Sequence, residues 1–319
     1  MKPTLWRLMT VALLSLGAHS QSTYYSMLCS LTRESNNPAV SLAGIHLEIG
    51  VHARKASGIK ISLSEGPRRI MILQDISGSM SYLNAQKLSI AAVKDFAESA
   101  PATDQLGLVD FNTDAFIDID LRNVNSFLKA FNDLTLTKKL APKRGTALFD
   151  AISVSAAYLQ KTPQEGDSLF IISDGSDNVS TITGAKLRER LLPAKIRIYL
   201  FMLTGSTIPT ELPPRLEIAD LVRDSGGILV GATPLNKVSL QHLTSGMVEP
   251  VYDASPESLG RIQQQIQMLH NLIETAYRVE FDLDAPLVKQ TELDAKLMSA
   301  NSKPAEGLRL FCPRYINPN

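Results

Sequence analysis

Short apolar runs alternate with longer amphipathic stretches along residues 69–277. The run at 70–73 contains no polar residue, as expected for a strand buried on both faces of a parallel sheet. Residues 83–100 then repeat apolar positions at helical spacing, and Pro101 helps to stop that helix. The same reasoning predicts strands at 106–111, 115–121, 169–173, 196–203 and 228–230, and helices at 124–134, near 146–159, at 216–222 and at 256–277. The pattern predicts an α/β fold with a mostly parallel central sheet between helices.

The segment at 115–121 has its own expected place in this sheet. It follows the turn residues Asn112, Thr113 and Asp114, and its apolar alternation suits an antiparallel strand. We therefore expect a hairpin at one edge of the otherwise parallel sheet.

The flanks of this unit alternate apolar and polar residues with a period of two. Residues 45–49 and 59–63 do so before it, and residues 277–283 and 308–311 look like strands after it. We expect the two flanks to pair into a small β-rich layer beside the α/β unit. The predicted organisation is a signal peptide at 1–20, an N-terminal β-rich extension at 21–66, the α/β domain at 67–277 and a C-terminal β-rich extension at 278–319.

The N-terminus has the pattern of a secretory signal peptide. Lys2 and Arg7 precede the apolar stretch 8–17, and small residues, Ala18 and Ser20, stand at both positions that specify cleavage. That stretch is about half of the roughly 20 residues that span a bilayer, which argues against a membrane anchor. We expect cleavage after Ser20, no transmembrane segment in the mature chain, and a bacterial protein exported to the periplasm or the extracellular space.

Composition and charge narrow the class of protein. Hydrophobic residues make up 44% and charged residues 20% of the chain, which is typical of a folded, soluble protein. The 32 basic and 32 acidic residues cancel, and no stripe of Lys and Arg is interleaved with aromatic residues. These features argue against a nucleic-acid partner, and they leave the oligomeric state open.

The chain contains two cysteines, Cys29 and Cys312, one near each end of the mature protein. Export would permit a disulfide between them, and pairing is favoured because the terminal segments of a domain often lie close together. Two free thiols remain an alternative. A lipid anchor on Cys29 is a weaker one, because residues 26–28 do not resemble a lipobox.

Residues 75–79, with the sequence Asp-Ile-Ser-Gly-Ser, directly follow the first buried strand. Open α/β sheets bind their ligands at the carboxyl ends of strands, and carboxylate and hydroxyl oxygens suit a hard divalent cation. Such a loop taken alone is equally typical of turn formers and helix caps. Two later residues change this balance, because Thr146 opens a helix and Asp174 closes another buried strand, so that both would reach the same edge of the sheet.

With these residues in this order, the chain resembles the von Willebrand factor type A (VWA) family. The metal ion-dependent adhesion site (MIDAS) of that family is Asp-x-Ser-x-Ser, followed by a Thr and then an Asp. The resemblance covers about 69–277, and the segments 145–152 and 171–178 look most like the secreted bacterial VWFA-related proteins of acidobacterial type. It implies a Rossmann-like, doubly wound VWA fold and a metal site formed by Asp75, Ser77, Ser79, Thr146 and Asp174.

The resemblance also implies how that site works. Mg²⁺ is the expected ion, with Mn²⁺ or Ca²⁺ as alternatives, and a Glu or Asp carboxylate of a protein partner takes a vacant coordination position. In the family the serines and often the threonine contact the ion, while the aspartates tend to act through water. Basic residues nearby could steer an acidic partner, although a solvated basic loop is the simpler interpretation: Lys138, Lys139, Lys143 and Arg144.

Two further acidic residues lie close to these segments, Asp150 and Asp177. We interpret both as structural or solvated rather than as metal ligands, because the first falls in a helical turn and the second in a loop.

The sequence contains no nucleophile elbow, zinc-protease motif, Cys-x-x-Cys pair or phosphate-binding loop, and its five histidines do not cluster. We therefore predict a metal-dependent protein-binding module of the adhesion type with no catalytic residues. Two alternatives stay open. One is a metal-independent structural scaffold of an envelope assembly, and the other is a metal-assisted hydrolase, for which no general base accompanies the five ligands.

Overall fold

The computed structural model describes residues 23–33, 44–80, 85–137, 145–203, 216–232, 248–249 and 256–318. The predicted signal peptide and the basic residues at 138, 139, 143 and 144 lie outside these described residues. Within them, no helix combines the length and apolar character needed to cross a membrane.

Most of the predicted strands and helices are present, together with some that the sequence did not predict. The strands are β1 (Tyr24–Arg33), β2 (His46–Val51), β3 (Arg54–Lys55), β4 (Ser57–Leu63), β5 (Arg69–Asp75), β6 (Gln105–Phe111), β7 (Ala115–Asn123), β8 (Ser168–Ser173), β9 (Arg197–Leu203), β10 (Leu229–Ala232), β11 (Val248–Glu249), β12 (Ala276–Asp282), β13 (Thr291–Met298), β14 (Leu308–Phe311) and β15 (Tyr315–Ile316). The helices are α1 (Ala85–Ser99), α2 (Val124–Thr137), α3 (Leu148–Leu159), α4 (Gly184–Ala194), α5 (Leu216–Asp224) and α6 (Pro256–Glu274).

The central sheet has seven strands in the order β11-β10-β9-β8-β5-β6-β7. All neighbouring pairs are parallel except β6 and β7, which form the antiparallel edge hairpin predicted from the turn at 112–114. Every residue of β5, β8 and β9 is buried, which explains why these strands appear in the sequence as continuous apolar runs. The predicted doubly wound, mostly parallel sheet is confirmed.

Successive residues of the buried strands face opposite layers of helices. Ile70 and Ile72 of β5 belong to the core formed with α1, α2 and α6. Met71 and Leu73 belong to the core formed with α3, α4 and α5. The sheet is thus covered on both faces, which leaves its carboxyl-terminal edge as the place where loops from several strands meet.

The two flanks form further antiparallel sheets, with the strand orders β14-β1-β12-β4 and β15-β13-β2-β3. Tyr25 of β1, Val51 of β2 and Phe281 of β12 are among the buried residues of their shared core. This confirms the predicted β-rich layer built from both ends of the chain. The domain boundaries remain a prediction, and the one placed at 277 falls inside β12, because the last helix ends at Glu274 rather than at 277.

A disulfide joins Cys29 of β1 to Cys312, which follows β14, with an S–S distance of 2.08 Å. It connects the N-terminal and C-terminal flanks across adjacent strands, since β1 and β14 pair directly. The predicted pairing of the two cysteines is confirmed.

Candidate metal centre

The candidate site lies where the strand order of the central sheet reverses. The chain runs from β5 outward through β6 to one edge, and then returns to β8 on the other side of β5. β5 ends at Asp75 and β8 ends at Ser173, so the loops after these neighbouring strands diverge and leave a crevice. Doubly wound sheets bind ligands at such a switch point.

Asp75 is fully buried and organises the loop that follows it. Its Oδ1 accepts a hydrogen bond from the backbone N–H of Ser77 at 2.9 Å, and its Oδ2 accepts one from the hydroxyl of Ser173 at 2.6 Å. The hydroxyl oxygens of Ser77 and Ser79 are 3.0 Å apart. The turn made by the first hydrogen bond therefore brings both serine hydroxyls to one point beside the Asp75 carboxylate.

The backbone of Thr146 forms two hydrogen bonds with Asn178. Its N–H donates to the side-chain oxygen of Asn178 at 2.8 Å, and its carbonyl accepts from the N–H of Asn178 at 3.0 Å. The next residue, Ala147, donates its N–H to the carbonyl of Asn112 at 2.6 Å. Gly145 has a φ of +125°, and a Cβ there would lie 2.9 Å from the Thr113 methyl. A glycine is therefore needed for the chain to enter this position.

Asp174 follows β8 and is 6% exposed. Its Oδ1 accepts from the backbone N–H of Ser176 at 2.9 Å, while Gly175 donates its N–H to the Ser173 hydroxyl at 3.0 Å. The loops after β5 and β8 thus form the same kind of turn, in which an aspartate side chain accepts a hydrogen bond from the backbone N–H two residues later.

The two aspartates affect each other electrostatically. Burial and the charge of Asp174 raise the pKa of Asp75 to about 7, although the hydrogen bonds from Ser173 and Ser77 oppose that rise. Among the described residues, no Lys, Arg or His forms an ion pair with either aspartate. A divalent cation between the two carboxylates would offset both their repulsion and the cost of burying Asp75.

The donor set matches one class of ion. Among the described residues, no group of three or more His, Cys, Asp and Glu side chains is arranged to hold a metal. The five ligands predicted from the sequence instead combine two carboxylates with three hydroxyls, all oxygen donors. Hard cations such as Mg²⁺ bind oxygen donors and retain several waters, so these residues fit such an ion better than a zinc or a copper ion.

Asp150 and Asp177 tie α3 to the loop after β8. The Asp150 carboxylate accepts from the backbone N–H groups of Thr181 and Ile182, at 2.9 and 3.0 Å. Asp177 accepts from the backbone N–H of Phe149 at 2.8 Å and from the Ser180 hydroxyl. These contacts give both aspartates structural roles, and they hold the start of α3, which begins at Leu148, two residues after Thr146.

The sequence did not reveal three residues that position the site, which are Ser173, Asn178 and Asn112. Ser173 and Asn178 lie next to segments that were singled out, but each acts through a partner far away in the chain. No sequence signal distinguishes them from ordinary turn residues.

One family model and several solved structures are similar to part of this chain. The family model of the von Willebrand factor type A domain matches residues 70–176. A comparison with curated protein sequences finds no match.

Solved structures with a similar fold include BatB from Bacteroides thetaiotaomicron, at 20% identity and a TM-score of 0.41, covering 64% of this chain and 99% of that one. A von Willebrand factor type A protein from Catenulispora acidiphila has 10% identity and a TM-score of 0.47, covering 90% and 74%. The manganese-loaded TRAP protein of Plasmodium vivax has 14% identity and a TM-score of 0.45, covering 80% and 96%. These low scores assign neither a ligand nor a partner to this chain.

The predicted closeness to the secreted bacterial VWFA-related proteins stays a prediction. The match over residues 70–176 includes both strands that end at the candidate site and the helix that begins beside it. Residues 70–176 therefore match the von Willebrand factor type A domain family.

Proposed function

We propose that this protein is an exported binding module that recognises a partner carboxylate through Mg²⁺ at its MIDAS. The proposed ligands are Asp75, Ser77, Ser79, Thr146 and Asp174. The observation that carries the proposal is the burial of the Asp75 carboxylate next to Asp174, with the hydroxyls of Ser77 and Ser79 3.0 Å apart beside it.

The charges of this donor set support an open site. Two carboxylates balance a divalent cation, while three hydroxyls contribute oxygen atoms without further negative charge. When bound, Mg²⁺ would supply Lewis acidity and an exchangeable position, since it takes about six ligands and keeps some of them as water. A Glu or Asp side chain of a protein partner is the oxygen donor that suits such a position.

The residues of this chain would each have a distinct task. Ser77 and Ser79 present hydroxyls, and their spacing depends on the hydrogen bond from the Ser77 N–H to Asp75. Thr146 presents its hydroxyl from the start of α3, where Asn178 fixes its backbone. Ser173 is a positioning residue, because it donates to Asp75 and accepts from Gly175.

Export is part of the same proposal. The Cys29–Cys312 disulfide is the kind of crosslink that persists outside the reducing cytoplasm. Together with the signal-peptide pattern of residues 1–20, it supports a periplasmic or extracellular location.

Titration calorimetry with Mg²⁺ and Mn²⁺ tests the metal site. We expect saturable binding to the wild type and a loss of at least tenfold in affinity for Asp75→Asn, which keeps the shape of the side chain but removes its charge. Asp120→Asn, on the exposed side of β7, is the matched control and should bind as the wild type does. Absence of saturable binding to the wild type, or equal binding by Asp75→Asn, would refute the proposal.

A second experiment tests the partner. Immobilised protein is incubated in Mg²⁺ with a peptide library, washed and then eluted with EDTA. We expect the eluted peptides to share an Asp or Glu whose amide analogue is no longer captured. Capture that persists in chelator would instead favour the metal-independent scaffold.

A further inference from the structure

A cavity of about 330 Å³ lies at the opposite end of the central sheet from Asp75. It is bounded by the start of β9, the end of α4, the loop at 163–166, strand β1 and the segment at 313–317. Parallel strands end at the MIDAS edge and begin at this one, so the two sites are separated by the length of the sheet. The volume is at the small end of the range of about 300–1,000 Å³ for small-molecule pockets.

Most of the lining of this cavity is apolar. The β-rich layer contributes Met27, Leu28 and Ile316, and the α/β domain contributes Leu191, Leu192 and Ile196. Such a lining favours a ligand with an apolar body, because water finds few hydrogen-bond partners along apolar side chains.

Arg197 also lines the cavity, and its guanidinium lies over the ring of Tyr199, 5.2 Å from the ring centroid. The residue is 3% exposed, and its Nη2 donates to two neutral acceptors, the carbonyl of Gly226 at 2.6 Å and the hydroxyl of Ser30 at 2.9 Å. In the described part of the chain no carboxylate forms an ion pair with it, and burial lowers the pKa of its guanidinium. Arg69, which is similarly buried, pairs with Asp167 at 2.5 Å. A buried charge is costly unless an opposite charge accompanies it.

The acidic residues around the cavity already have cationic partners. Glu165 forms an ion pair with Arg278, and Asp224 forms one with Arg188 at 2.6 Å between Oδ2 and Nη2. Because these two carboxylates pair with arginines outside the lining, they do not pair with Arg197 or Lys195.

Lys195 occupies a backbone conformation that normally favours glycine. It caps the end of α4 with a φ of 55° and a ψ of 24°, in the left-handed region. Glycine is the usual residue at this position of a helix end, because a Cβ is strained there. The chain has a lysine at this strained position, and that lysine is one of the residues that line the cavity.

We propose that this cavity binds a small monoanion with an apolar body, of the class of medium-chain carboxylates. The carboxylate supplies a negative charge to pair with Arg197 and Lys195. The hydrocarbon part replaces water against the apolar lining. The carboxylate fixes the orientation of the ligand, and the apolar side chains limit its length.

Titration calorimetry with octanoate and octanol on the full chain at low ionic strength tests this proposal. We expect saturable binding of octanoate with a Kd below about 1 mM and at least tenfold weaker binding of octanol, which has the same chain without the charge. Arg197→Gln, which can still hydrogen-bond to the Gly226 carbonyl, should remove most of that preference, and Arg197→Lys should retain part of it.

Lys195→Gly distinguishes an effect on octanoate binding from an effect on the stability of the protein. Because it relieves a strained backbone, it should raise the Tm by a few degrees while weakening octanoate binding severalfold. Ser302→Gly is the matched control: Ser302 also has a φ of 55° but lies on an exposed turn outside the cavity, so its Tm should rise without a change in octanoate affinity. Equal affinity for octanoate and octanol, no saturable binding of octanoate, or unchanged octanoate affinity in both Lys195→Gly and Arg197→Gln would overturn the proposal.

Discussion

The hydroxyl of Ser173 donates a 2.6 Å hydrogen bond to Oδ2 of Asp75, across the two neighbouring strands that diverge at the site. Ser173 also accepts from the N–H of Gly175, in the loop that contains Asp174. One side chain thus links the two loops that supply both carboxylates. This link therefore helps to set the relative positions of the two carboxylates.

Ser173→Ala should weaken Mg²⁺ binding by about 10–100-fold, the effect typical of residues that orient metal ligands. The Asp75 carboxylate loses a fixed donor, and the Gly175 N–H loses its acceptor. Ser168→Ala is the control, because Ser168 is buried at the other end of the same strand and also loses one hydrogen bond, to the Gly166 carbonyl. Calorimetry and thermal unfolding of both variants check this, and equal Mg²⁺ affinity in the two would contradict the positioning role.

Gly145→Ala should lower Mg²⁺ affinity by displacing Thr146. The new methyl would meet the Thr113 side chain at 2.9 Å, in a backbone with a φ of +125°. Gly66→Ala is the matched control, since Gly66 has a φ of +118° but nothing within 4 Å of the added methyl. Both variants should have a lower Tm because of backbone strain. If Gly66→Ala loses as much Mg²⁺ affinity as Gly145→Ala, the local placement of Thr146 is not the cause.

The stability of the protein should fall as the pH rises towards 8, because of Glu274 at the end of α6. Burial and the neighbouring carboxylate of Asp104 raise the pKa of Glu274 from 4.5 to about 8, although Arg68 opposes the rise. The folded chain therefore holds a proton that the unfolded chain releases, and this contribution to stability is lost progressively from about pH 4.5 to about pH 8. His270, whose pKa burial lowers, has the opposite effect at pH values below its usual 6.5.

Urea unfolding of the wild type and Glu274→Gln between pH 6.5 and 9 measures this contribution of Glu274 to the free energy of unfolding. The glutamine variant, which cannot ionise, should lose less free energy of unfolding over that range than the wild type. Glu98→Gln is the control, since Glu98 is half exposed on α1, where it pairs with Lys94. Identical pH dependence in the wild type and Glu274→Gln would contradict the prediction.

Reduction of the Cys29–Cys312 bond should destabilise the chain by about 2–5 kcal/mol, because it releases a crosslink between residues 283 positions apart. Urea unfolding with and without dithiothreitol measures the difference. The Cys29→Ser, Cys312→Ser double variant should match the reduced wild type and should not respond to dithiothreitol. Unchanged stability on reduction would show that the flanks hold together without the bond.

The sequence predicted the central sheet because its strands are buried on both faces. β5, β8 and β9 have continuous apolar runs, and the observed strands begin and end close to the predicted positions. Helix α4 was not predicted. It contains many charged residues and Pro193, and it buries only a narrow stripe of side chains that includes Leu187 and Leu191.

Strands β1 and β13 were not predicted either. β1 finds its partners β12 and β14 near the other end of the chain, and such distant pairing leaves no local signal in the sequence. β13 has a largely exposed face, and only Leu293 of its residues is fully buried.

The five proposed ligands could be found from the sequence because their order and their places at strand and helix ends form a pattern. The residues that orient them could not. Asn178 and Ser173 act through hydrogen bonds to Thr146 and Asp75, and each bond joins segments that only folding brings together. The sequence also could not show that Arg197 is buried without a carboxylate partner among the described residues, because that depends on which residues folding brings next to it.

The proposed function requires the residues around Asp75 to hold a divalent cation. Crystals of the protein grown in Mn²⁺ show whether they do, because the ion scatters anomalously and can be located without bias. We predict one anomalous peak within coordination distance of the Ser77 and Ser79 hydroxyls, absent from Asp75→Asn crystals grown in the same way. Well-diffracting wild-type crystals in saturating Mn²⁺ with no peak at these hydroxyls would contradict the account.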